Sequence, residues 1–175
     1  MRGSLPAMSL EEHRAESTDS LGIAIVTFSD TRTAADDRGG DYLAETCTAA
    51  GHRVVHRSLV REDDDAIASA VLTASGTDGV DLVLTTGGTG IAPRDRTFDV
   101  LRELLDSEIP GFGELFRQLS YAEIGSATIL SRALGGVLRG RVVLALPGSV
   151  KALRLAMEAI VLPEAGHLVS QVRKG

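Results

Sequence analysis

The residues that could do chemistry in this 175-residue chain are concentrated in the stretch Thr85–Asp99, "TTGGTGIAPRDRTFD". Its glycines would let backbone amides approach phosphate oxygens, and its threonine hydroxyls would add donors. The carboxylate of Asp95 would repel a phosphate unless Mg²⁺ lay between them, because Mg²⁺ is commonly held by one or two carboxylates plus substrate phosphates. The stretch therefore predicts an anion cradle with a metal site. The alternative is a tight strand-to-helix turn, with Thr97 and Asp99 forming a partial capping box.

Neither of the two common phosphate-loop motifs fits this stretch. A P-loop requires Lys and then Ser or Thr after its second glycine, whereas Ile91 follows Gly90. The dinucleotide-binding motif G-x-G-x-x-G requires a third glycine, and Pro93 stands at that position. The cradle is therefore predicted to belong to another class of nucleotide or phosphate site.

Acidic residues in "REDDD" could complete the metal site. Glu62 and Asp63 lie close to the end of a predicted strand and could reach the same ion as Asp95. Asp64 and Asp65 are more typical of a solvated helix start, where negative charge complements the helix dipole.

Two further loops carry polar groups that could contact a ligand. In "SDTR", Ser29 and Asp30 could bind a polar group or cap the loop. In "LPGS", Gly148 would allow close approach of an anion, and Ser149 would act as a donor and helix cap.

Continuous apolar runs predict the elements that position these loops. Strands are predicted at 22–28, 52–60, 80–86 and 141–147, since such runs suit strands buried on both faces of a parallel sheet. Helices are predicted between them and over 163–173, whereas 126–140 is compatible with a helix end, a strand or a turn. The alternation predicts an α/β fold, in which ligands bind at the carboxyl ends of the strands.

The composition excludes several classes of protein. A formal charge of −6 with no basic stripe argues against a DNA-binding protein, and an aromatic content of 3% argues against stacking platforms for single-stranded nucleic acid. The single cysteine, Cys47, excludes an internal disulfide and is predicted to pack in the core. The four histidines show no metal-ligand spacing.

The length predicts one domain, residues 21–175, preceded by a flexible polar tail, residues 1–20. No apolar run reaches membrane-spanning length, and the N-terminal segment lacks the apolar core of a signal peptide. We therefore expect a cytoplasmic protein without a membrane or nucleic-acid partner.

Several motifs together resemble the MoaB/MogA family of molybdenum cofactor biosynthesis. "TTGGTGIAPRDRT", "GFGELFRQLS", "ILSRA" and "LPGS" follow in the family's order within residues 21–162, and "VREDDDAI" is more similar to the MoaB branch than to the MogA branch. The resemblance implies a three-layer α/β sandwich with a mostly parallel central sheet that binds molybdopterin. It also implies Mg-ATP-dependent adenylylation of molybdopterin, assembly into homo-trimers or homo-hexamers, and other molybdenum cofactor proteins as partners.

The resemblance assigns roles to particular positions of this chain. Asp95 matches the family's essential metal-site aspartate, and the neighbouring Arg94 and Thr97 are predicted to contact the anionic ligand. The positions that should line the nucleotide and pterin-phosphate site are Thr86, Gly87, Gly88, Thr89 and Gly90 in the glycine-rich motif, Ser29 and Asp30 after the first strand, and Pro147, Gly148 and Ser149 after the last.

The loop after the second strand departs from the family pattern. Adenylyl-transferring members carry an aspartate at the catalytic position, whereas this chain has Glu62 there and Asp63 next. Displacing a carboxylate by about one C–C bond can cost on the order of 100-fold in rate. Two functions therefore remain open, an adenylyltransferase and a non-catalytic oligomer that binds pterin or nucleotide as a carrier or assembly partner. Related "GGTG" domains of molybdate-insertion and competence-damage proteins lie in chains with additional domains, which are not expected here.

Overall fold

The fold of residues 20–174 is described by a computed structural model. Apart from Ser20, the predicted flexible tail lies outside these residues, so the prediction for it is untested. Six strands are present in the described part: Gly22–Phe28 (β1), Arg53–Val60 (β2), Leu82–Thr86 (β3), Ser107–Glu108 (β4), Leu134–Leu138 (β5) and Arg141–Leu146 (β6).

The strands form one sheet in the order β2-β1-β3-β6-β5-β4. The first four strands of this order run parallel, whereas β5 pairs antiparallel with both β6 and β4. The predicted mostly parallel α/β sheet is therefore confirmed, and the four predicted strands correspond to β1, β2, β3 and β6.

Helices cover both faces of the sheet, which makes the architecture a three-layer sandwich. They are Arg38–Ala49 (α1), Asp64–Gly76 (α2), Thr97–Leu104 (α3), Pro110–Ile124 (α4), Val150–Ala156 (α5) and Leu162–Arg173 (α6). A 3₁₀ helix, Gly125–Leu130, extends α4, and a π-helical turn, Met157–Val161, joins α5 to α6. Apolar side chains of α1, α4, α5 and α6 pack on one face, and those of α2 and α3 pack on the other.

Strand β1 shows why the central strands are apolar along their whole length. Ile23 and Ile25 point into the core beneath α1, whereas Ala24 and Val26 point into the core beneath α2. All four are fully buried, since successive side chains of a strand alternate between faces and both faces are covered here.

The segment 126–140, which the sequence left open, contains both helical and extended structure. After the 3₁₀ helix the chain enters β5, and Gly135 and Gly136 lie inside that strand. A Cβ at Gly135 would lie 2.9 Å from the Cβ of Phe112, and one at Gly136 would lie 2.4 Å from a methyl carbon of Leu105. The glycine pair therefore serves close packing of helix and loop against the strand, and it ends neither a helix nor a strand.

Helix α1 begins at a buried carboxylate. Asp37 is its N-cap, and Asp37 Oδ1 accepts a hydrogen bond from Gly40 N at 3.0 Å. The other oxygen accepts from the Thr27 hydroxyl at 2.9 Å and from Arg57 Nη2 at 3.0 Å. A carboxylate that is 2% exposed needs such partners, because an unpaired buried charge is strongly unfavourable. The cap thus ties α1 to β1 and β2.

Cys47 packs on the buried side of α1, as predicted. Burial raises the pKa of its thiol to about 11, so the thiol stays protonated and unreactive at neutral pH. Within residues 20–174 no helix is long and apolar enough to cross a membrane.

Candidate functional site

One cavity of about 520 Å³ opens where β1, β2, β3 and β6 end. Because these strands are parallel, the loops after them meet at one edge of the sheet. The structure brings most of the predicted site residues to this cavity. Those that line it are Ser29, Asp30, Glu62, Gly87, Gly88, Thr89, Gly90, Arg94, Asp95, Pro147, Gly148 and Ser149.

The glycine loop after β3 requires glycine for steric reasons. Gly87 has φ of +103°, and a Cβ there would lie 2.2 Å from the carbonyl oxygen of Phe28. Gly88 has φ of +64°, and a Cβ there would lie 2.2 Å from the hydroxyl of Thr97. A larger residue at either position would push the loop away from β1 or α3. The loop therefore packs tightly against β1 and α3, and its glycines line the cavity without side chains that would keep an anion away.

The loop after β6 is fixed against the glycine loop. The Thr86 hydroxyl donates to the carbonyl of Pro147 at 3.0 Å, and Gly87 N donates to the carbonyl of Leu146 at 3.3 Å. Ser149 caps α5 by accepting from Ala152 N at 3.3 Å. The helix cap predicted at Ser149 is confirmed, and the two loops form one continuous wall.

The loop after β1 contributes a cation that is not among the predicted site residues. Arg32 lines the cavity with about a third of its side chain exposed. One Nη donates to the carbonyl of Gly148 at 3.3 Å, and the other lies 4.0 Å from Asp37. The position of Arg32 within "SDTR", directly after a buried strand, is the signal that could have identified it. Arg32 and the exposed Arg94 supply positive charge to the cavity wall.

Three carboxylates interact across the cavity. The pKa of Glu62 is raised above its ordinary value, first by burial and then by the negative charges of Asp95 and Asp30, while Arg94 opposes the shift. Asp30 also accepts a hydrogen bond from Glu62 N at 3.1 Å, which joins the loops after β1 and β2. Glu62 is thus the acidic residue of "REDDD" whose side chain interacts with Asp95.

Asp95 is oriented by its own loop. Its Oδ2 accepts a hydrogen bond from Ala92 N at 2.8 Å, and Asp95 N donates to the carbonyl of Ala92 at 2.8 Å. A Cβ at Gly90 would lie 2.5 Å from Oδ2, so glycine at this position leaves room for the carboxylate.

Glu62 and Asp95 are the residues that could hold a Mg²⁺ ion. No three His, Cys, Asp or Glu side chains within the described range converge closely enough to enclose a metal by themselves. An ion bound by these two carboxylates would need further oxygen ligands from water or a substrate phosphate. That arrangement is usual for Mg²⁺, so the donor set fits Mg²⁺ brought in with a nucleotide.

The opposite wall of the cavity is largely apolar. Residues of α4, the 3₁₀ helix and α5 line it, namely the apolar Phe116, Ile124, Ala127, Leu130 and Ala152 together with Ser120 and Thr128. No site residue is predicted on this wall from the sequence, because an apolar helix face is equally typical of a core. The cavity therefore offers polar loops to an anion on one side and an apolar surface to a flat ring on the other.

Three predicted site residues do not line the cavity. Thr86 is fully buried and bonds Pro147 as described, and Asp63 caps α2 by accepting from Ala66 N at 2.9 Å. Thr97 is fully buried beneath Gly88, and its hydroxyl has no hydrogen-bond partner among residues 20–174. These three residues support the loops and present no group to a ligand in the cavity.

The capping box proposed for Thr97 and Asp99 does not form. Arg96 occupies the N-cap position of α3, and no side chain caps that helix. Asp99 instead accepts two hydrogen bonds from Arg132, both at 3.0 Å. The carboxylate of Asp99 therefore binds Arg132, a charged partner distant in sequence, and does not cap the helix.

Comparisons with known proteins identify related sequences and structures. A family model described as "Probable molybdopterin binding domain" matches residues 24–167. The molybdenum cofactor biosynthesis protein B of Bacillus cereus is 46% identical over 168 residues, which cover 95% of this chain and 99% of that protein. The crystal structure of the tungsten cofactor synthesizing protein MoaB from Pyrococcus furiosus superposes with a TM-score of 0.81 at 35% identity, covering 90% of this chain and 99% of that one. The chain belongs to the MoaB/MogA family.

A second crystal structure, of a molybdenum cofactor biosynthesis protein B, matches this member of the MoaB/MogA family with a TM-score of 0.87 at 47% identity. The match covers 89% of this chain and 98% of that one. The predicted three-layer fold of the family is therefore confirmed. Every residue that lines the cavity falls within the matched range 24–167.

Proposed function

We propose that this protein acts in molybdenum cofactor biosynthesis by adenylylating molybdopterin with Mg-ATP. Membership of the MoaB/MogA family supports the role in this biosynthesis. The observation that carries the finer proposal is one cavity lined together by the glycine loop, by Glu62 and Asp95, and by apolar residues of α4 and the 3₁₀ helix.

The cavity contains residues of the types that adenylyl transfer between phosphates requires. Such reactions depend on positioning and charge neutralisation more than on a covalent nucleophile. Gly87–Gly90 would hold phosphate oxygens, Arg32 and Arg94 would neutralise charge, and Glu62 and Asp95 would hold Mg²⁺. The ion, when bound, would polarise the phosphate oxygens. The apolar wall at Phe116 and Leu130 would receive a flat heterocycle.

The proposed reaction transfers one adenylyl group. A terminal phosphate oxygen of molybdopterin forms a bond to the α-phosphorus of ATP, and the bond from that phosphorus to the bridging oxygen of the β-phosphate breaks. Adenylylated molybdopterin and pyrophosphate are the products. The attacking phosphate is already ionised at neutral pH, so the step requires no general base from the protein.

The test is adenylylation by the purified protein. Molybdopterin and Mg-ATP are incubated with the wild type, with Asp95→Ala and with Asp78→Ala, which removes an exposed carboxylate outside the cavity. We expect pyrophosphate and adenylylated pterin from the wild type and Asp78→Ala, and neither product from Asp95→Ala. Absence of product from the wild type, under conditions in which a MogA-type enzyme is active, would reject the catalytic proposal.

The second candidate is a pterin- or nucleotide-binding oligomer without catalysis, which Glu62 in the catalytic position favours. Glu62→Asp distinguishes the two functions, since it restores the shorter carboxylate of adenylyl-transferring relatives. Calorimetric binding of Mg-ATP by the wild type, with turnover only in Glu62→Asp, would select the non-catalytic role. Equal turnover by both proteins would select the enzyme.

We also propose that the chain assembles as a homo-trimer or homo-hexamer and works with other molybdenum cofactor proteins. Large apolar side chains exposed on α4 and the 3₁₀ helix support an assembly. Tyr121 is 62% exposed and Ile129 is 75% exposed, and neither of them lines the cavity. Exposed apolar residues that adjoin each other are typical of surfaces that another protein covers.

A further inference from the structure

Arg132, from the motif "ILSRA", lies directly after the 3₁₀ helix and outside the wall of the cavity. Its neighbour Ser131 lines the cavity, whereas Arg132 lies on the other side of the glycine loop with 26% of its side chain exposed. Its position therefore gives it no direct access to a ligand in the cavity.

The guanidinium of Arg132 holds both ends of the loop that carries Asp95. Its Nε donates to the carbonyl of Gly90 at 2.7 Å, and its Nη2 donates to the carbonyl of Asp95 at 2.6 Å. Its backbone N donates to the carbonyl of Thr89 at 3.0 Å. One residue therefore fixes the distance between the two ends of the segment Gly90–Asp95.

The guanidinium is itself held in place by α3. Asp99 accepts two hydrogen bonds from Arg132 Nη1, both at 3.0 Å. The face of the Phe98 ring lies 5.0 Å from the guanidinium carbon, within the range of a cation–π contact. Arg132 thus transmits the position of α3 to the glycine loop.

Only a planar fork of donors can make these contacts together. Arginine presents five N–H donors in a rigid plane, whereas lysine presents one compact ammonium on a flexible stem. A lysine at this position would keep the charge but could not bridge two carbonyls and a carboxylate from fixed directions.

We propose that Arg132 is a positioning residue that fixes the shape of the loop Gly90–Asp95 and thereby the place of the Asp95 carboxylate. Its effect on the loop stands on the hydrogen bonds alone. Its effect on turnover rests on the proposed adenylyl transfer. The loop therefore depends on hydrogen bonds from Arg132, a residue more than thirty-five positions later in the chain.

The test compares Arg132→Gln and Arg132→Lys with Arg102→Gln. Arg102 lies on α3 and pairs with Glu108 on the surface, so its substitution removes the same charge without touching the loop. Hydrogen exchange is measured on peptides that cover residues 87–97, which contain the hydrogen-bonded amides of Ala92 and Asp95. We expect faster exchange in these peptides for both Arg132 variants and unchanged exchange for Arg102→Gln.

The turnover number kcat is the quantity that a purely structural role of Arg132 would not change. Misplacement of Asp95 by about 1 Å should lower kcat on the order of 100-fold in Arg132→Gln. The KM for ATP should rise by a smaller factor than kcat falls, because a misplaced Asp95 carboxylate still attracts Mg-ATP but no longer fits the transition state. Arg132→Lys should fail to restore kcat. Full recovery with lysine would overturn the requirement for the planar fork.

A second variant covers the case in which Arg132→Gln loosens the whole fold. Asp99→Asn keeps the guanidinium and weakens the contact that orients it. We then expect faster exchange confined to residues 87–97, and exchange equal to the wild type would overturn the proposal. If the wild type transfers no adenylyl group, the exchange experiment still decides the positioning role, and only the proposed function fails.

Discussion

At the scale of single residues, the carboxylate of Glu62 lies in unfavourable electrostatic surroundings. Burial is the first cause of its raised pKa, and the carboxylates of Asp95 and Asp30 add to it. A cation between Glu62 and Asp95 would remove part of that repulsion. The same groups that destabilise the metal-free protein would therefore favour the binding of a divalent ion.

The raised pKa predicts a dependence of stability on pH. The folded protein binds the Glu62 proton more tightly than the unfolded chain does, so the stabilisation is present below the ordinary pKa of 4.5 and is lost as the pH rises through the raised value. Without metal, Glu62→Gln should therefore increase the free energy of unfolding at about pH 8. The difference in the free energy of unfolding between Glu62→Gln and the wild type should shrink as the pH falls below the ordinary pKa of Glu62. Urea denaturation in EDTA across this range measures it.

Magnesium should reverse this difference. Adding Mg²⁺ at neutral pH should stabilise the wild type more than Glu62→Gln, because the variant lacks a charged ligand. Asp78→Asn is the control, since it makes the same chemical change at an exposed position away from the cavity. If Glu62→Gln lowered stability without metal at neutral pH, the electrostatic interpretation of the site would be wrong.

At the scale of elements, the site depends on loops that cross each other at close range. Gly87 passes beneath the carbonyl of Phe28, and a Cβ at Gly148 would lie 3.4 Å from the Cα of Gly87. The ends of β1, β3 and β6 therefore pack backbone against backbone. Small residues at these crossings bring loops from separate strands into one wall.

Gly87→Ala should displace the glycine loop from β1. The positive φ and the contact with the Phe28 carbonyl predict a loss of about 2–3 kcal/mol in the free energy of unfolding, together with weaker Mg-ATP binding. Gly76→Ala is the matched control, because a Cβ at the last position of α2 meets nothing within 4 Å. It should be neutral or stabilise by up to about 1 kcal/mol. Urea denaturation and calorimetry measure the two effects, and equal stability of both variants would contradict the close packing.

At the scale of the whole molecule, the two faces of the sandwich differ in their exposed surface. The surface of α4 and the 3₁₀ helix carries the exposed apolar side chains of Tyr121 and Ile129 beside the exposed Glu123, and it adjoins the apolar wall of the cavity. Helix α2, on the other face of the sheet, begins with Asp64 and Asp65 and buries its apolar side chains within the core. The proposed subunit interface therefore belongs on the side of α4.

Ile129→Glu should weaken the proposed assembly. Ile129 is 75% exposed in the single chain, and burial of an isoleucine contributes about 1.5–3 kcal/mol, so association should weaken at least about tenfold. Thr73→Glu adds the same charge to the exposed surface of α2 and should leave the assembly intact. Sedimentation velocity over a range of concentrations measures both. An Ile129→Glu protein that associates like the wild type would place the interface elsewhere.

The four parallel strands and the loops that follow them could be predicted from the sequence, whereas β4 and β5 could not. The runs 22–28 and 141–147 are apolar throughout because both faces of the sheet are covered, and such runs are recognisable without a structure. The glycine pattern at 87–90 was equally visible, because a backbone that must approach a ligand or another loop excludes side chains. These signals are local, and the strands β1 and β6 confirm them.

Which of several neighbouring side chains reaches the cavity depends on the tertiary structure. The choice of Glu62 over its neighbour Asp63 depends on which of the two caps α2, and the apolar wall at Phe116 depends on how α4 packs against the sheet. The hydrogen bond from Arg132 to Gly90 joins residues that are 42 positions apart. Neither local sequence indicates that the two residues are partners. Local patterns fix the conformation of the backbone, whereas the direction of a side chain toward a distant partner is set by the packing of the complete fold.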